Sequence, residues 1–280
     1  MDKATENMER IRADLSGTHS KLFNELATSV RHYTVGFVRL PETPIGSAQP
    51  CGTATLVAIN STHYFLTASH VWKELKESEN IGVTIVPINN WFQIPTKRLS
   101  ATGPPKPAAE DEGPDIVLLE IPAEKFGEIA ARKSFHRLEP PWNRPPLKVS
   151  CVEVRILMGS PGEAATITPA TPHTPKSLDL TIQAVMADPD SESFTKDGYD
   201  YIDSREISGA HGFPHSYGGF SGGGLWRVQI YHDPDTGERE SRHSLEGMAF
   251  HQSDSRGGHR TIRCHGRRSI DVVKGMLPPK

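Results

Sequence analysis

Tyr217-Gly218-Gly219-Phe220-Ser221-Gly222-Gly223-Gly224-Leu225-Trp226 is the stretch on which the fold and chemistry of this chain turn. A serine between glycines, followed by an apolar entry into a strand, presents a hydroxyl beside main-chain N–H groups that no side chain screens. That is the setting for a nucleophile with an oxyanion hole next to it. A glycine-rich turn alone is only a turn, so the assignment depends on partners elsewhere.

Two partners precede it. Tyr64-Phe65-Leu66-Thr67-Ala68-Ser69-His70-Val71 places a histidine where an apolar strand ends, and Pro114-Asp115-Ile116-Val117-Leu118-Leu119-Glu120 places an aspartate where another begins. His70, Asp115 and Ser221 are the candidate general base, its orienter and the nucleophile. Asp111 and Glu112 compete for the orienting role but belong to a solvated charge run. Asp115 is preferred because an orienter must be held rigidly and shielded from water.

Taken together, Thr67–Val71 (TASHV), Asp115–Leu119 (DIVLL) and Gly219–Gly223 (GFSGG), in that order, resemble the motifs of the trypsin/chymotrypsin-like serine peptidases, in a bacterial-type, non-zymogen form, over residues near 34 to 266. The resemblance implies an all-β fold of two six-stranded antiparallel β-barrels. The first, 33–140, carries His70 and Asp115, and the second, 141–267, carries Ser221. It further implies a serine endopeptidase that cleaves a protein or peptide through an acyl-enzyme, with no cofactor and no metal. The N–H groups of Gly219 and Ser221 form the oxyanion hole. The substrate pocket maps onto His215 to Gly218 and onto Phe250, His251 and Gln252, and a histidine at 215 or 251 would favour an acidic side chain.

Two departures matter. Many secreted members carry a cysteine after the catalytic histidine to pair with one before it, whereas here Cys51 has no such counterpart. Digestive and clotting members carry aspartate before the nucleophile, where it pairs with a newly cut amino terminus. Phe220 stands there instead, so the oxyanion hole is expected to be preformed or organised by a partner or substrate.

Bulk properties agree with a turn-rich globular fold. Twenty-four glycines and 23 prolines in 280 residues suit a turn-rich globular chain rather than a helical bundle. A net charge of −3 argues against a dedicated nucleic-acid binder, and the cluster Arg256, Arg260, Arg263, Arg267, Arg268 lacks interleaved aromatics, which favours a solvated or structural role. No apolar run approaches the ~18 residues needed to cross a bilayer. The charged amino terminus has no secretory apolar core, so a cytoplasmic location is expected, with Cys51, Cys151 and Cys264 reduced.

Residues 1–32 read as a helical extension: Met8, Ile11 and Leu15 form one stripe, and Leu22, Phe23, Leu26 and Val30 a second behind the N-cap Ser20. It would cover a barrel end or dock a regulatory protein. Strands are expected at Val35–Leu40, Gly52–Ile59, Tyr64–Thr67, Ile81–Ile88, Trp91–Ile94, Cys151–Met158, Leu178–Met186, Gly198–Ile202, Leu225–Tyr231 and Leu245–His251. Pro122–Arg132 reads as a helix with Phe126, Ile129 and Ala130 inward. The proline-rich 139–146 would join the barrels, and 268–280 would form a closing helix capped by Ser269.

Competing motifs fail on order or spacing. GFSGG also fits the nucleophile elbow of α/β-hydrolases, but only 59 residues (222–280) follow Ser221, too few for the acid, the histidine and the parallel sheet that come after such an elbow. The seven histidines from His211 onward show no HExxH or CxxC-like ligand spacing, and no GK[ST] follows the glycine run. The alternative from another class is a latent recognition or effector module that keeps the fold and awaits a partner in a multiprotein system.

Overall fold

A computed structural model of the chain describes residues 3–16, 20–40, 48–85, 91–105, 113–138, 151–168, 177–188, 191–205, 216–233, 236, 238–256 and 259–279. His215, the rival acids Asp111 and Glu112, and the proposed connector at 139–146 lie outside the described residues.

The chain opens with α1 (Lys3–Ser16) and α2 (Lys21–Arg31). Ser20 caps α2 as expected, its hydroxyl accepting the Phe23 N–H at 2.9 Å. Ile11, Leu15, Leu22, Leu26 and Val30 are buried in one cluster with Val152, Val154 and Ile156. Both amphipathic stripes are thus spent on the chain's own core.

In chain order the first half then supplies β1 (Thr34–Arg39), β2 (Gln49–Ile59), β3 (Thr62–Thr67), the short helix α3 (Ser69–Leu75), β4 (Asn80–Thr84), β5 (Trp91–Pro95), β6 (Ser100–Thr102), β7 (Val117–Glu120), α4 (Ala123–Ala130) and β8 (His136–Arg137). They form an eight-stranded sheet ordered β5-β4-β1-β2-β3-β7-β6, with β8 parallel to β2. The second half supplies β9 (Cys151–Gly159), β10 (Thr166–Thr168), β11 (Ser177–Asp179), β12 (Gln183–Ala187), β13 (Glu192–Lys196), β14 (Tyr199–Arg205), β15 (Gly224–His232), β16 (Arg239–Arg256), β17 (His259–Gly266) and α5 (Arg267–Gly275). Seven of its strands run β12-β9-β15-β16-β17-β14-β13, and β10 and β11 make a separate ribbon.

Connectivity requires the first sheet to curl. β5 and β6 are consecutive in sequence yet occupy opposite edges, so Pro95 and Ser100, five residues apart, can be separated by at most about 18 Å. β12 and β13 stand in the same relation in the second sheet, and the Asp188 N–H after β12 bonds the Arg205 carbonyl of β14 at 2.9 Å. The expectation of two closed six-stranded barrels is corrected to two curled sheets of eight and seven strands. Among the described residues no ladder joins β5 to β6 or β12 to β13. The edges explain why: β6 offers only three residues, and all five of β13 are exposed.

β2 departs from simple alternation because both its faces are covered. Residues 52–59 are all buried: Ala54 and Leu56 alternate with Thr53 and Thr55, whose hydroxyls reach the Gly219 and Gly222 carbonyls of the other half. β2 is therefore the seam between the halves, and a single apolar cluster runs through both.

Other local expectations shift for physical reasons. Leu178–Met186 is two strands, because Leu178 pairs with β10 whereas Ala184–Met186 pair with β9. β13 and β17 were not anticipated. Ala130 is exposed, leaving Ile129 as the buried anchor of α4, while Phe126 stacks on His63 at 3.8 Å between ring centroids. Ser269 is not the cap of α5. The carboxylate of Asp200, on β14, accepts the N–H groups of Arg268 (3.1 Å) and Ser269 (2.6 Å) and so serves the orphan donors of that helix. Within the basic cluster, Arg263 makes a bidentate pair with Asp203 (2.7 and 2.8 Å) and lies over the Phe194 ring, while Arg267 donates to the Leu138 carbonyl at 3.1 Å, both structural roles. All three cysteines are unbridged, and burial pushes the Cys51 thiol up to about 12. No helix among the described residues is long and apolar enough to cross a membrane.

Candidate active site

β3 ends in the buried run Tyr64, Phe65, Leu66, Thr67 and hands the chain to α3, whose first turn holds His70. Asp115 arrives from the segment just before β7 and is 3 % exposed. Its carboxylate grips His70 twice: Oδ1 accepts the backbone N–H at 2.9 Å, and Oδ2 lies 2.5 Å from Nδ1. A carboxylate accepts only, so Nδ1 carries the proton and the imidazole lone pair sits on Nε2. Two contacts fix the ring's tautomer and its orientation together.

Asp115 is itself anchored. Its N–H donates to Nε2 of His265 at 2.8 Å, across from β17. The His265 ring is fully buried and stacked on Phe250 at 4.3 Å between centroids. Burial lowers its pKa to about 4, against the opposing pull of Asp115 and Asp200, so it is neutral and its Nε2 is an acceptor.

The Ser221 loop is held by main-chain and hydroxyl bonds almost to exhaustion. Every carbonyl from Tyr217 to Gly223 is bonded: to Phe220 N (2.9 Å), Gly162 N (2.8 Å), Thr53 Oγ1 (2.6 Å), Gly223 N (2.7 Å), Thr53 N (2.9 Å), Thr55 Oγ1 (3.1 Å) and Ala249 N (2.8 Å) in turn. Over the same residues the N–H groups of Tyr217, Gly218, Phe220, Gly222 and Gly223 also donate. The two that make no hydrogen bond among the described residues are those of Gly219 and Ser221. They flank one residue and are the pair expected from the sequence.

The glycines are required by this path. Gly219 (φ +99°) and Gly222 (φ +94°) lie in the left-handed region, and a Cβ would stand 2.3 Å from the Ser160 carbonyl oxygen at the first and 1.8 Å from the Thr53 carbonyl oxygen at the second. Phe220, in place of an acid, is 1 % exposed, with its ring against Gly159 and edge-on to Tyr217 at 5.1 Å. Apolar burial holds this position in place.

The two halves meet at the reacting groups. A Cβ on Gly222 would lie 2.3 Å from Thr67 Oγ1, three residues before His70, and Gly52 sits between Val71 and the Ser221 carbonyl. Ser221 thus abuts the β3–α3 junction. Its hydroxyl donates to the Phe250 carbonyl at 3.3 Å and not to His70. Of the expected substrate contacts, Phe250 brings this carbonyl to the site while its ring is buried in the core, and His251 is partly exposed.

No family model and no curated protein matches the chain. Among the solved structures that resemble it is one described by the statement that aromatic interactions drive the coupled folding and binding of the intrinsically disordered Sesbania mosaic virus VPg protein. It is 13% identical, covers 87% of this chain and 90% of that chain, and has a TM-score of 0.42. A likeness of that size carries no inference about fold or activity.

Sequence reasoning missed Thr53 and His265, and quoted Thr67 only as part of its motif. Nothing local marks the first two: Thr53 is a threonine inside a strand, and His265 stands beside Gly266 and two arginines. Their contacts exist only once β2 and β17 have met the loops of Ser221 and Asp115.

Proposed function

We propose that the chain is a serine endopeptidase of the trypsin/chymotrypsin type. What carries this is the double contact of Asp115 with His70, made at the seam where the Ser221 loop packs on the end of β3. Ser221 Oγ attacks the substrate carbonyl as His70 Nε2 takes its proton. Asp115 stabilises the imidazolium without itself being protonated. The oxyanion is received by the N–H groups of Gly219 and Ser221, each such donor contributing about a hundred- to a thousand-fold in rate. His70 then protonates the leaving amine, and water repeats the sequence on the acyl-enzyme.

The substrate is a protein or peptide. The order of the donor loop, with its carbonyls bonded and Phe220 buried, supports a preformed oxyanion hole rather than one assembled by a chain end. Full-length protein treated with a small fluorophosphonate is expected to be labelled once, at Ser221, and labelling should vanish in Ser221→Ala and His70→Ala. A folded wild-type chain labelled at a residue other than Ser221, or labelled equally in Ser221→Ala, would overturn the proposal.

One observation favours the latent, partner-dependent reading: the Ser221 hydroxyl is engaged by Phe250. On this reading the hydroxyl must leave the Phe250 carbonyl for His70 before it can react. A labelling rate that rises only when a protein partner is added would favour latency. Proteins that dock on the N-terminal helices would meet charged outer positions such as Glu9, Arg10 and Arg12, since the apolar stripes are already covered.

A further inference from the structure

We infer that Thr53 is a positioning residue for the paired donors Gly219 and Ser221, holding from the neighbouring sheet the peptide plane that joins them. This rests on Ser221 being the nucleophile and adds a residue from β2 to the machinery.

Thr53 makes four hydrogen bonds at the seam. Its N–H donates to the Ser221 carbonyl (2.9 Å), and its own carbonyl accepts the Thr67 hydroxyl (2.7 Å). Its hydroxyl accepts the Ser160 N–H (2.9 Å) and donates to the Gly219 carbonyl (2.6 Å). The direction of that last bond is forced. An amide N–H can only donate, so the lone pair faces Ser160 and the single hydroxyl proton goes to Gly219. Thr53 is fully buried, and the Ser160 N–H that its hydroxyl accepts is buried with it.

The Gly219 carbonyl belongs to the 219–220 peptide, which turns as a rigid plane. The other end of that plane, the Phe220 N–H, is bonded to the Tyr217 carbonyl at 2.9 Å. The planes on either side carry the two donors: 218–219 holds the Gly219 N–H, and 220–221 holds the Ser221 N–H. The plane that Thr53 grips is therefore the link that sets the angle between the donors. It hangs on Gly219, a residue without a Cβ to resist rotation.

Removing the hydroxyl leaves the buried Ser160 N–H and the part-buried Gly219 carbonyl without their partner. Rotation of the 219–220 plane relieves one of them and splays the donors away from a common point. A residue that merely stitched the sheets together would alter stability and leave chemistry per folded molecule intact. The two roles therefore separate in the kinetics.

The test is saturation kinetics of the fluorophosphonate on full-length wild type, Thr53→Val and Thr53→Ser, with thermal unfolding of each. Thr53→Val is expected to lose about ten- to a hundred-fold in maximal phosphonylation rate, in which Ser221 Oγ displaces fluoride from phosphorus, as when oxyanion donors are lost or misplaced, with the half-saturating probe concentration unchanged. Thr53→Ser, which keeps the proton, restores the rate to within a few-fold. If Thr53→Val does not fold, Thr53→Cys, of similar volume but a weak donor, replaces it with the same expectation. A folded variant lacking the hydroxyl that is phosphonylated at the wild-type rate overturns the inference, as does Thr53→Ser being as slow as Thr53→Val. Wild-type protein labelled at a residue other than Ser221 is a different failure, that of Ser221 as nucleophile.

Discussion

The backbone N–H of Asp115 donates to Nε2 of His265 at 2.8 Å, tying the carboxylate that orients one imidazole to a second imidazole that never meets solvent. Burial depresses the His265 pKa to about 4, below its ordinary 6.5. Between these values the unfolded chain binds a proton that the folded chain refuses, so this group's contribution to stability is complete above about pH 6.5 and is lost as pH falls toward 4. Urea midpoints of wild type should drop across that window with up to ~1.4 kcal/mol per pH unit from this group. His265→Gln, which keeps an acceptor but does not titrate, should show a shallower slope, and equal slopes would remove His265 from the acid response.

Asp115→Asn tests the clamp on His70. The amide must set its NH2 against either the Nδ1 proton or the His70 backbone N–H, so the double contact is broken, and its neutral oxygen cannot stabilise the imidazolium. Phosphonylation by the fluorophosphonate should fall by about a thousand- to ten-thousand-fold, as for comparable triads, with near-native circular dichroism. A loss of less than tenfold would mean that another acid orients His70.

Two glycines of the same chain should respond oppositely to alanine. At Gly222 the new Cβ meets backbone at 1.8 Å and the residue sits at φ +94°, which predicts a loss of about 4 kcal/mol or more in denaturant titration. At Gly127, in α4, nothing lies within 4 Å of the new atom, and alanine should stabilise by about 0.5–1 kcal/mol through helix propensity. Similar effects at the two positions would mean the loop path around Ser221 is wrong.

Asp200→Ala removes the carboxylate that serves the first turn of α5. It leaves the Arg268 and Ser269 N–H groups without that acceptor and should cost about 1–3 kcal/mol in a urea titration. Phosphonylation of Ser221 per folded molecule should be unchanged, since the hydrogen bonds of the Asp200 carboxylate go to α5 and not to the loops of His70 and Ser221. A drop in phosphonylation with no drop in stability would assign Asp200 to the proposed site.

How much of this was legible depends on how local each signal is. The hairpin of β2 and β3 announced itself by its β-branched runs and by Asn60, which takes φ +54° in the turn, and Ser20 marked the start of α2. β13 was missed because every side chain on it is exposed, leaving no alternation; the cue that existed was Asp197-Gly198, both at positive φ in the turn to β14. β17 was masked by its arginines, although Ile262 and Cys264 alternate inward between them. His70, Asp115 and Ser221 were nameable because each sits in a short motif. Thr53 and His265 were not, because their partners lie 166 and 150 residues away in sequence.

Three of the seven carbonyls in the Ser221 loop are bonded by β2, which belongs to the other sheet. Neither half can shape the loop alone. On the proposed chemistry, a chain still emerging from the ribosome is harmless to its neighbours: the alcohol acquires its reactivity only after the last strands have closed on residues made long before. Synthesis itself then acts as the safety catch, and the first moment of danger to other proteins is the moment folding finishes.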